Sequence, residues 1–389
     1  MSLNLAVAGG GIGGLAAALA CERAGCEVRV LEQGHAFSEV GAGIQLGPNV
    51  TRILDRWSLG DAIRRCAGEP DTLVVRDAAH GHELGRLEFG PAFTRRYGAP
   101  YFTIHRADLQ QVLLAATRDA GVAPELDARV IGAGQQDDDV HVVLANGEIA
   151  QADVLIAADG VWTSLREHVV ADGPAQPTGH FAFRALAPQT SLPAALRSSR
   201  VTLWLAPKMH AVSYPVRAGE ELNVVVLVES ALAPAQGWEA VGAESDLLPA
   251  LQGACGELRR LVEAMPAWGL WALHDRPPLA GAHEMARGRI ALLGDAAHPM
   301  LPYLAQGAGM AIEDADALAS VFADATAANA PAALARYAHA RWRRCAQVQA
   351  RARRNATIFH AAGAMRAARD AAMRMLGERL LDQPWLYGR

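Results

Sequence analysis

Asn4-Leu5-Ala6-Val7-Ala8-Gly9-Gly10-Gly11-Ile12-Gly13-Gly14 decides the fold. Leu3 to Ala8 reads as a short apolar strand, and Gly9 to Gly14 as a turn. An Ala/Leu-rich helix follows from about Leu15 to Ala24 and closes at Gly25. A second strand, Glu27 to Leu31, ends at Glu32, which completes a β-α-β unit of ordinary size. Gly9, Gly11 and Gly14 satisfy G-x-G-x-x-G, with Ile12 and Gly13 filling the variable positions. The first glycine makes the tight turn, the second lets a pyrophosphate approach the backbone, and the third lets helix and strand pack closely. The helix N-terminus offers free N–H groups and partial positive charge to phosphates. Glu32, with Gln33 beside it, stands where a carboxylate accepts hydrogen bonds from ribose hydroxyls. A plain structural turn is the competing reading, but strand, helix, second strand and acid are all in register. The pattern predicts a dinucleotide site without separating FAD from NAD.

The 389 residues are 51% hydrophobic and 20% charged, ordinary globular composition, in a chain long enough for two or three lobes. A net charge of -5 gives no general attraction to nucleic acid or to an anionic membrane. Cys21, Cys26, Cys66, Cys255 and Cys345 are odd in number, scattered and free of C-x-x-C spacing. That argues against a disulfide framework or a metal cluster and for reduced thiols in a cytoplasm. No signal peptide and no bilayer-length apolar run are read.

Strand signals recur at Leu73 to Arg76, Leu84 to Phe89, Ala128 to Ile131 and Val140 to Leu144, with Asn146-Gly147 as a hairpin turn. Ala107 to Ala120 reads as a helix, and Asp153 to Ala157 as a buried strand ending in Asp159-Gly160. Phe181 to Leu186, Val201 to Leu205, His210 to Val216 and Leu222 to Val228 predict an antiparallel sheet in a second lobe. Helices are expected after Ser245, then a strand at Arg289 to Leu293, a helix from about Ala308 to Ala323 and a helical tail from Ala332.

Two later segments narrow the cofactor. They are Ala158-Asp159-Gly160-Val161-Trp162-Thr163-Ser164-Leu165-Arg166, and Gly294-Asp295-Ala296-Ala297-His298-Pro299 continuing through Gln306-Gly307-Ala308-Gly309-Met310 to Glu313-Asp314-Ala315. With these the chain resembles the group A FAD-dependent aromatic monooxygenases, the family of the 4-hydroxybenzoate, salicylate, 3-hydroxybenzoate and 6-hydroxynicotinate hydroxylases. Gly41 to Asn49, His105 to Leu109 and the terminal Trp385-Leu386-Tyr387-Gly388 extend the resemblance over nearly the whole chain. It implies an α/β fold: a Rossmann-like FAD-binding domain, an inserted antiparallel-sheet substrate domain and a C-terminal helical tail. The FAD-binding parts are expected at 1–72, 101–175 and 283–330, the substrate domain at 73–100 and 176–282, and the helical tail at 331–389.

The resemblance also implies roles. Asp295 is placed near the FAD ribityl chain and pyrophosphate. Gly307, Ala308 and Gly309 open a helix whose dipole faces the flavin pyrimidine. Asp159 and Gly160 lie between flavin and nicotinamide functions, Ile44 and Gln45 lie beside the flavin ring, and Arg106 and Val130 are cofactor contacts. NADH or NADPH is expected as a transient co-substrate, because only one glycine fingerprint is present. Dioxygen then reacts through a flavin C4a-hydroperoxide that attacks an electron-rich ring. Thr163 stands where the family usually has Ser, so a hydroxyl is kept. Gln45 and Tyr303 replace two pocket histidines of 6-hydroxynicotinate monooxygenase, which argues against a pyridine substrate. Asp295 has a competing reading as a helix cap, and His298 reads as scaffold rather than catalyst. The arginines at 341, 343, 344, 351, 353 and 354 read as a solvated helix face or a contact in a homodimer, not as a nucleic-acid patch.

A phenol must lose its proton to become nucleophilic, which calls for a base. His210 is the candidate, with Tyr214 on the same strand face by period two and Gln45 as a further catalytic candidate. A satisfied core histidine is the equal alternative. Arg184, Tyr303 and Pro299 are expected to line the pocket of a small phenolic acid, with Arg184 suited to its carboxylate. A larger or N-heterocyclic ring, or an FAD-binding sensor that does not oxygenate, are the other readings.

Overall fold

The structure is a computed structural model describing residues 2–37, 41–136, 138–230, 241–242 and 244–388. The chain forms two compact units, each assembled from separated segments. The first comprises Met1–Glu39, Leu109–Gln176 and His274–Ala352; the second comprises Val40–Asp108, Pro177–Leu273 and Arg353–Arg389. These limits differ from the expected segments at 40–72 and 101–108, which lie in the second unit, at 274–282, which lies in the first, and in the tail, which divides after Ala352. The residues after Val40 join the second unit, because the strand Gly43–Leu46 pairs with Phe102–His105. The long helix Ala330–Phe359 belongs mostly to the first, because Arg341 and Gln349 bond to groups there.

In the first unit, Glu27–Leu31, Asn4–Ala8, Val154–Ala157 and Ile290–Leu292 lie side by side as parallel strands, with Ala286–Arg287 antiparallel at the edge. The register aligns Leu31, Ala8, Ala157 and Leu292 in one row. The residues that follow each strand therefore collect along the carboxyl edge of one sheet. Helix Ile12–Arg23 starts earlier than expected, directly on the glycine turn, and is buried along most of its length. It packs on helix Gly307–Phe322: a Cβ on Gly13 would meet Leu293 at 2.7 Å and Ala311 at 3.2 Å. Val130–Gln135, Val140–Leu144 and Ile149–Ala152 form a separate antiparallel sheet.

The second unit is built on an eight-stranded sheet. Its order is Val241–Gly242, Trp268–Asp275, Gln176–Pro188, Glu221–Glu229, Met209–Val216, Val201–Ala206, Thr72–Asp77 and Glu83–Glu88. The sheet is not wholly antiparallel, since Thr72–Asp77 joins Val201–Ala206 in parallel. Trp268–Asp275 is a strand where helices alone were expected. One face, with Phe183, Trp204, Ala211, Val224 and Val226, buries itself under Leu258, Leu261 and Val262 of helix Gly256–Glu263. Alternation therefore turns His180, Arg184, His210, Val212, Tyr214, Asn223 and Val225 to the opposite face.

Among the described residues no helix is long and apolar enough to cross a membrane. The arginine-rich stretch of the long helix is not wholly solvated. Arg341 is buried and bonds to Glu313 and Asp314, and Arg344 pairs with Glu313. Acids on the inward face of helix Gly307–Phe322 draw these two cations in, while Arg343, Arg353 and Arg354 are exposed.

Candidate functional site

The fingerprint glycines separate by what surrounds them. Gly9 has φ of 104°, and a Cβ there would lie 2.6 Å from the Ala158 carbonyl oxygen. A Cβ on Gly14 would collide with the Gly9 carbonyl oxygen. Both are glycine because the protein's own packing demands it. Gly11 is different: its absent Cβ points into open space at the helix N-terminus, which has no side-chain cap. A close approach of something other than the chain explains that glycine, as a pyrophosphate over uncapped N–H groups does.

Glu32 follows the Leu31–Ala8 pair and is half-buried. Its carboxylate accepts from the backbone N–H groups of Gly10 at 2.6 Å and Gly34 at 2.8 Å. Gln33 beside it is exposed. The Ala128 N–H donates to the Glu32 carbonyl at 2.9 Å, bringing the strand that opens at Val130 to this edge. Gln110, which sequence reasoning passed over, donates to the Gly10 carbonyl at 3.0 Å and fixes the turn from the helix side.

Asp159 and Gly160 lie at the same edge. Burial lifts the Asp159 carboxyl to about 6 against a hydrogen bond from Thr163, and one of its oxygens is buried without a partner. The Thr163 hydroxyl also accepts from the Leu165 N–H at 3.0 Å, so the kept hydroxyl holds the turn. Arg166 is buried, pairs with Asp172, and donates to the carbonyls of Ala296 and Ala297 at 3.0 and 2.6 Å. It thereby ties this segment to the turn that exposes Asp295. A Cβ on Gly307 would lie 3.9 Å from the Asp295 carboxylate, so Asp295 and the start of Gly307–Phe322 are neighbours. Ala308 and Gly309 continue that first turn. His298 is wholly buried with its Nε2 2.6 Å from Asp314, as a scaffold residue is. Pro299 and Tyr303 are buried in the same connection, with the Pro299 carbonyl accepting from Gln349 at 3.0 Å.

The remaining candidates stand in the second unit. Arg106 opens helix Arg106–Asp119, its N–H donating to the Ala42 carbonyl at 3.1 Å. Ile44 and Gln45 lie on the short strand Gly43–Leu46. Gln45 accepts from the Tyr101 hydroxyl at 2.6 Å and hydrogen-bonds to Tyr214. Tyr214 donates to the Gly43 carbonyl at 2.6 Å, while Asn223, its cross-strand partner, accepts from the Gly43 N–H at 2.8 Å. Burial pushes the Tyr214 phenol up, beyond what Arg184 and Gln45 offset.

Arg184 shares this sheet face. Its guanidinium lies 4.8 Å from the Trp271 ring centre, and its Nε is buried without a hydrogen-bond partner. Burial brings it down to about 10. Among the described residues it makes no ion pair.

His210 lies on the same face as Tyr214, as the alternation predicted, but not in the same cluster. Four residues of strand separate them by about 13 Å. His210 is buried, its Nδ1 2.9 Å from His360 Nε2, and burial together with His360 and His180 holds it well below the usual imidazole range. His360 gave no sequence signal, lying 150 positions away at the end of the long helix.

The chain is similar to known proteins over nearly its whole length. Residues 2–352 match the FAD binding domain family. The chain is 38% identical over 389 residues to 3-hydroxybenzoate 6-hydroxylase of Polaromonas naphthalenivorans, covering 99% of this chain and 96% of that protein. It superposes on Klebsiella pneumoniae HpxO complexed with FAD and uric acid with a TM-score of 0.86 at 26% identity, covering 97% and 94% of the two chains. A salicylate hydroxylase substrate complex gives a TM-score of 0.84 at 27% identity, covering 99% and 95%. The glycine that opens onto free space at a helix N-terminus, the acids of the carboxyl edge and these likenesses converge: the chain belongs to the group A FAD-dependent aromatic monooxygenases.

Proposed function

We propose that this protein is a single-component hydroxylase of a small phenolic acid, salicylate-like or 3-hydroxybenzoate-like, using NAD(P)H and dioxygen. Arg184 carries the reading: a part-buried cation with an unpartnered donor, on the same face as the candidate base, suits a carboxylate. Gly11, Glu32, Asp295 and the helix start at Gly307 to Gly309 are the residues that would hold FAD, with Asp159 and Arg106 further contacts. Bound FAD supplies the redox chemistry, accepting hydride from the nicotinamide and activating dioxygen for transfer of one oxygen atom to the ring.

The chain's own residues orient the acid and move its proton. Arg184 anchors the carboxylate through its planar fork, stacked on Trp271. His210, neutral at pH 7, takes the phenolic proton. Tyr214 is assigned to positioning, since its hydroxyl hydrogen is committed to Gly43. Gln45 holds the same strand through Tyr101 and Tyr214.

The test is NADH and NADPH oxidation by purified holoenzyme over a panel of phenolic acids and N-heterocycles, with products identified by mass spectrometry. The expected result is fast oxidation with one oxygen atom added to a phenolic acid. Release of carbon dioxide would mark attack at the carbon bearing the carboxylate. Oxidation that yields only hydrogen peroxide for every phenolic acid, or hydroxylation of the heterocycles alone, overturns the reading.

A further inference from the structure

Three groups form a continuous chain on the face of the eight-stranded sheet that carries Arg184. Glu229 Oε1 lies 2.8 Å from His360 Nδ1, and His360 Nε2 lies 2.9 Å from His210 Nδ1. The Glu229 side chain is 38% exposed, while those of His360 and His210 are buried, so the chain runs from solvent to the interior. It also has a direction. An ionised carboxylate only accepts, so His360 carries its hydrogen on Nδ1. A neutral imidazole then has a lone pair on Nε2, which accepts from His210 Nδ1–H. His210 is left with Nε2 as its unprotonated, basic nitrogen. One exposed carboxylate thus sets the tautomers of two buried rings.

We propose that His210, His360 and Glu229 form a relay that carries the substrate's phenolic proton to solvent. The proposal rests on His210 as the base. The phenol O–H bond breaks as His210 Nε2 gains the proton. His210 Nδ1–H passes to His360 Nε2, and His360 Nδ1–H passes to Glu229, from which water takes it. One proton leaves the substrate and one enters solvent. The reverse sequence returns a proton to the product phenolate and restores both tautomers. The surroundings favour passage over storage. Burial keeps His210 well below the usual imidazole range and His360 at about 4, so neither ring is a resting place for charge. His180, stacked on His360 with ring centres 5.5 Å apart, is itself held low by burial, and Arg369 adds a positive charge facing His360. Lys208 meets His360 through its backbone N–H. Glu229 is the acid of the group.

The holoenzyme test uses His360→Asn and Glu229→Gln beside His210→Ala. His360→Asn is expected to keep its FAD content and the KM for the acid while kcat at pH 7 falls about 100-fold, the usual scale of lost proton-transfer catalysis. The deficit should shrink as pH approaches the phenol's own pKa of about 10. It should also shrink for a ring-fluorinated substrate whose phenol ionises more readily. Glu229→Gln still accepts from His360 but cannot take up a proton, so a smaller loss of about tenfold with the same pH trend is expected. Wild-type kcat and pH profile in both variants overturn the relay. So does a loss that is equal at every pH and for the fluorinated substrate, since that is what a structural defect gives. If His210→Ala alone loses turnover, the base stands and only the relay falls. If His210→Ala turns over normally, both fall.

Discussion

Arg184 holds positive charge against the Trp271 ring on a sheet face where no described acid pairs with it. Burial pulls its pKa down to about 10, so the folded protein works against that charge while still holding it at pH 7. Such an arrangement costs stability unless a ligand anion completes it. Arg184→Gln is therefore expected to raise KM for the acid by roughly 10- to 100-fold, the value of a charged hydrogen-bonded contact. The melting temperature of the substrate-free holoenzyme should not fall. Arg184→Lys should recover little of the affinity, because an ammonium lacks the flat fork that stacks and binds two oxygens. Steady-state kinetics with the acid and its neutral amide check this; an equal KM effect on both ligands would refute it. The placement of Arg184 was only half legible in the sequence. The residue type suited a carboxylate, but whether it was drawn in against Trp271 or turned to water depended on the pairing of its strand with Glu221–Glu229. Gly9, Gly11 and Gly14 were legible because their spacing across one strand, turn and helix is itself the signal.

At the scale of elements, the strand Gly43–Leu46 is too short to hold its own position. Tyr214 and Asn223 grip Gly43 from the large sheet, and Tyr101 grips Gln45. The terminal helix Pro384–Tyr387 adds a third hold. Tyr387 sits among Phe93, Tyr97 and Tyr101, with ring centres 5.8, 5.5 and 6.3 Å away, and a Cβ on Gly47 would lie 2.7 Å from its ring. Tyr387→Ala removes that packing and should cost about 3 kcal/mol or more, as buried aromatic truncations do. FAD content should persist while the fraction of NAD(P)H oxidation ending as peroxide rises, because Ile44 and Gln45 lose their rigid support. Urea unfolding and the peroxide-to-product ratio measure the two effects; an unchanged ratio would separate the terminus from the site. Sequence reading noticed Trp385 to Gly388 but could not place it, since its partners lie almost 300 positions away. The longer alternating strands were legible for the opposite reason, a period visible within the strand. Trp268–Asp275 was not, because most of its side chains are half-buried and no polar–apolar alternation shows.

For the molecule as a whole, resistance to acid depends on charges buried behind the carboxyl edge. Asp314 is fully enclosed, bonded to His298 and Arg341, and the thiol of Cys345 lies 3.7 Å from it. Burial alone would raise its pKa, but the two cations prevail and hold it at about 2, below the ordinary 3.8. A carboxylate whose folded pKa is depressed contributes stability that is complete above the unfolded value and is lost as pH falls through the folded one. Asp314 should therefore support the fold fully above pH 4 and withdraw roughly 2 kcal/mol between about pH 4 and pH 2. His298 acts in the opposite direction. Burial works against its charge, but Cys345 and Asp314 raise its pKa well above 6.5, so its contribution holds through neutrality and fades only at alkaline pH. Asp314→Asn leaves Arg341 and His298 enclosed without their counter-charge and should cost about 3–5 kcal/mol at pH 7. The same variant should lose less further stability than the wild type on going from pH 5 to pH 2, because the group that titrates is gone. Urea midpoints across that range test both statements together. Parallel curves for the two proteins would mean that the acid sensitivity of this fold arises elsewhere.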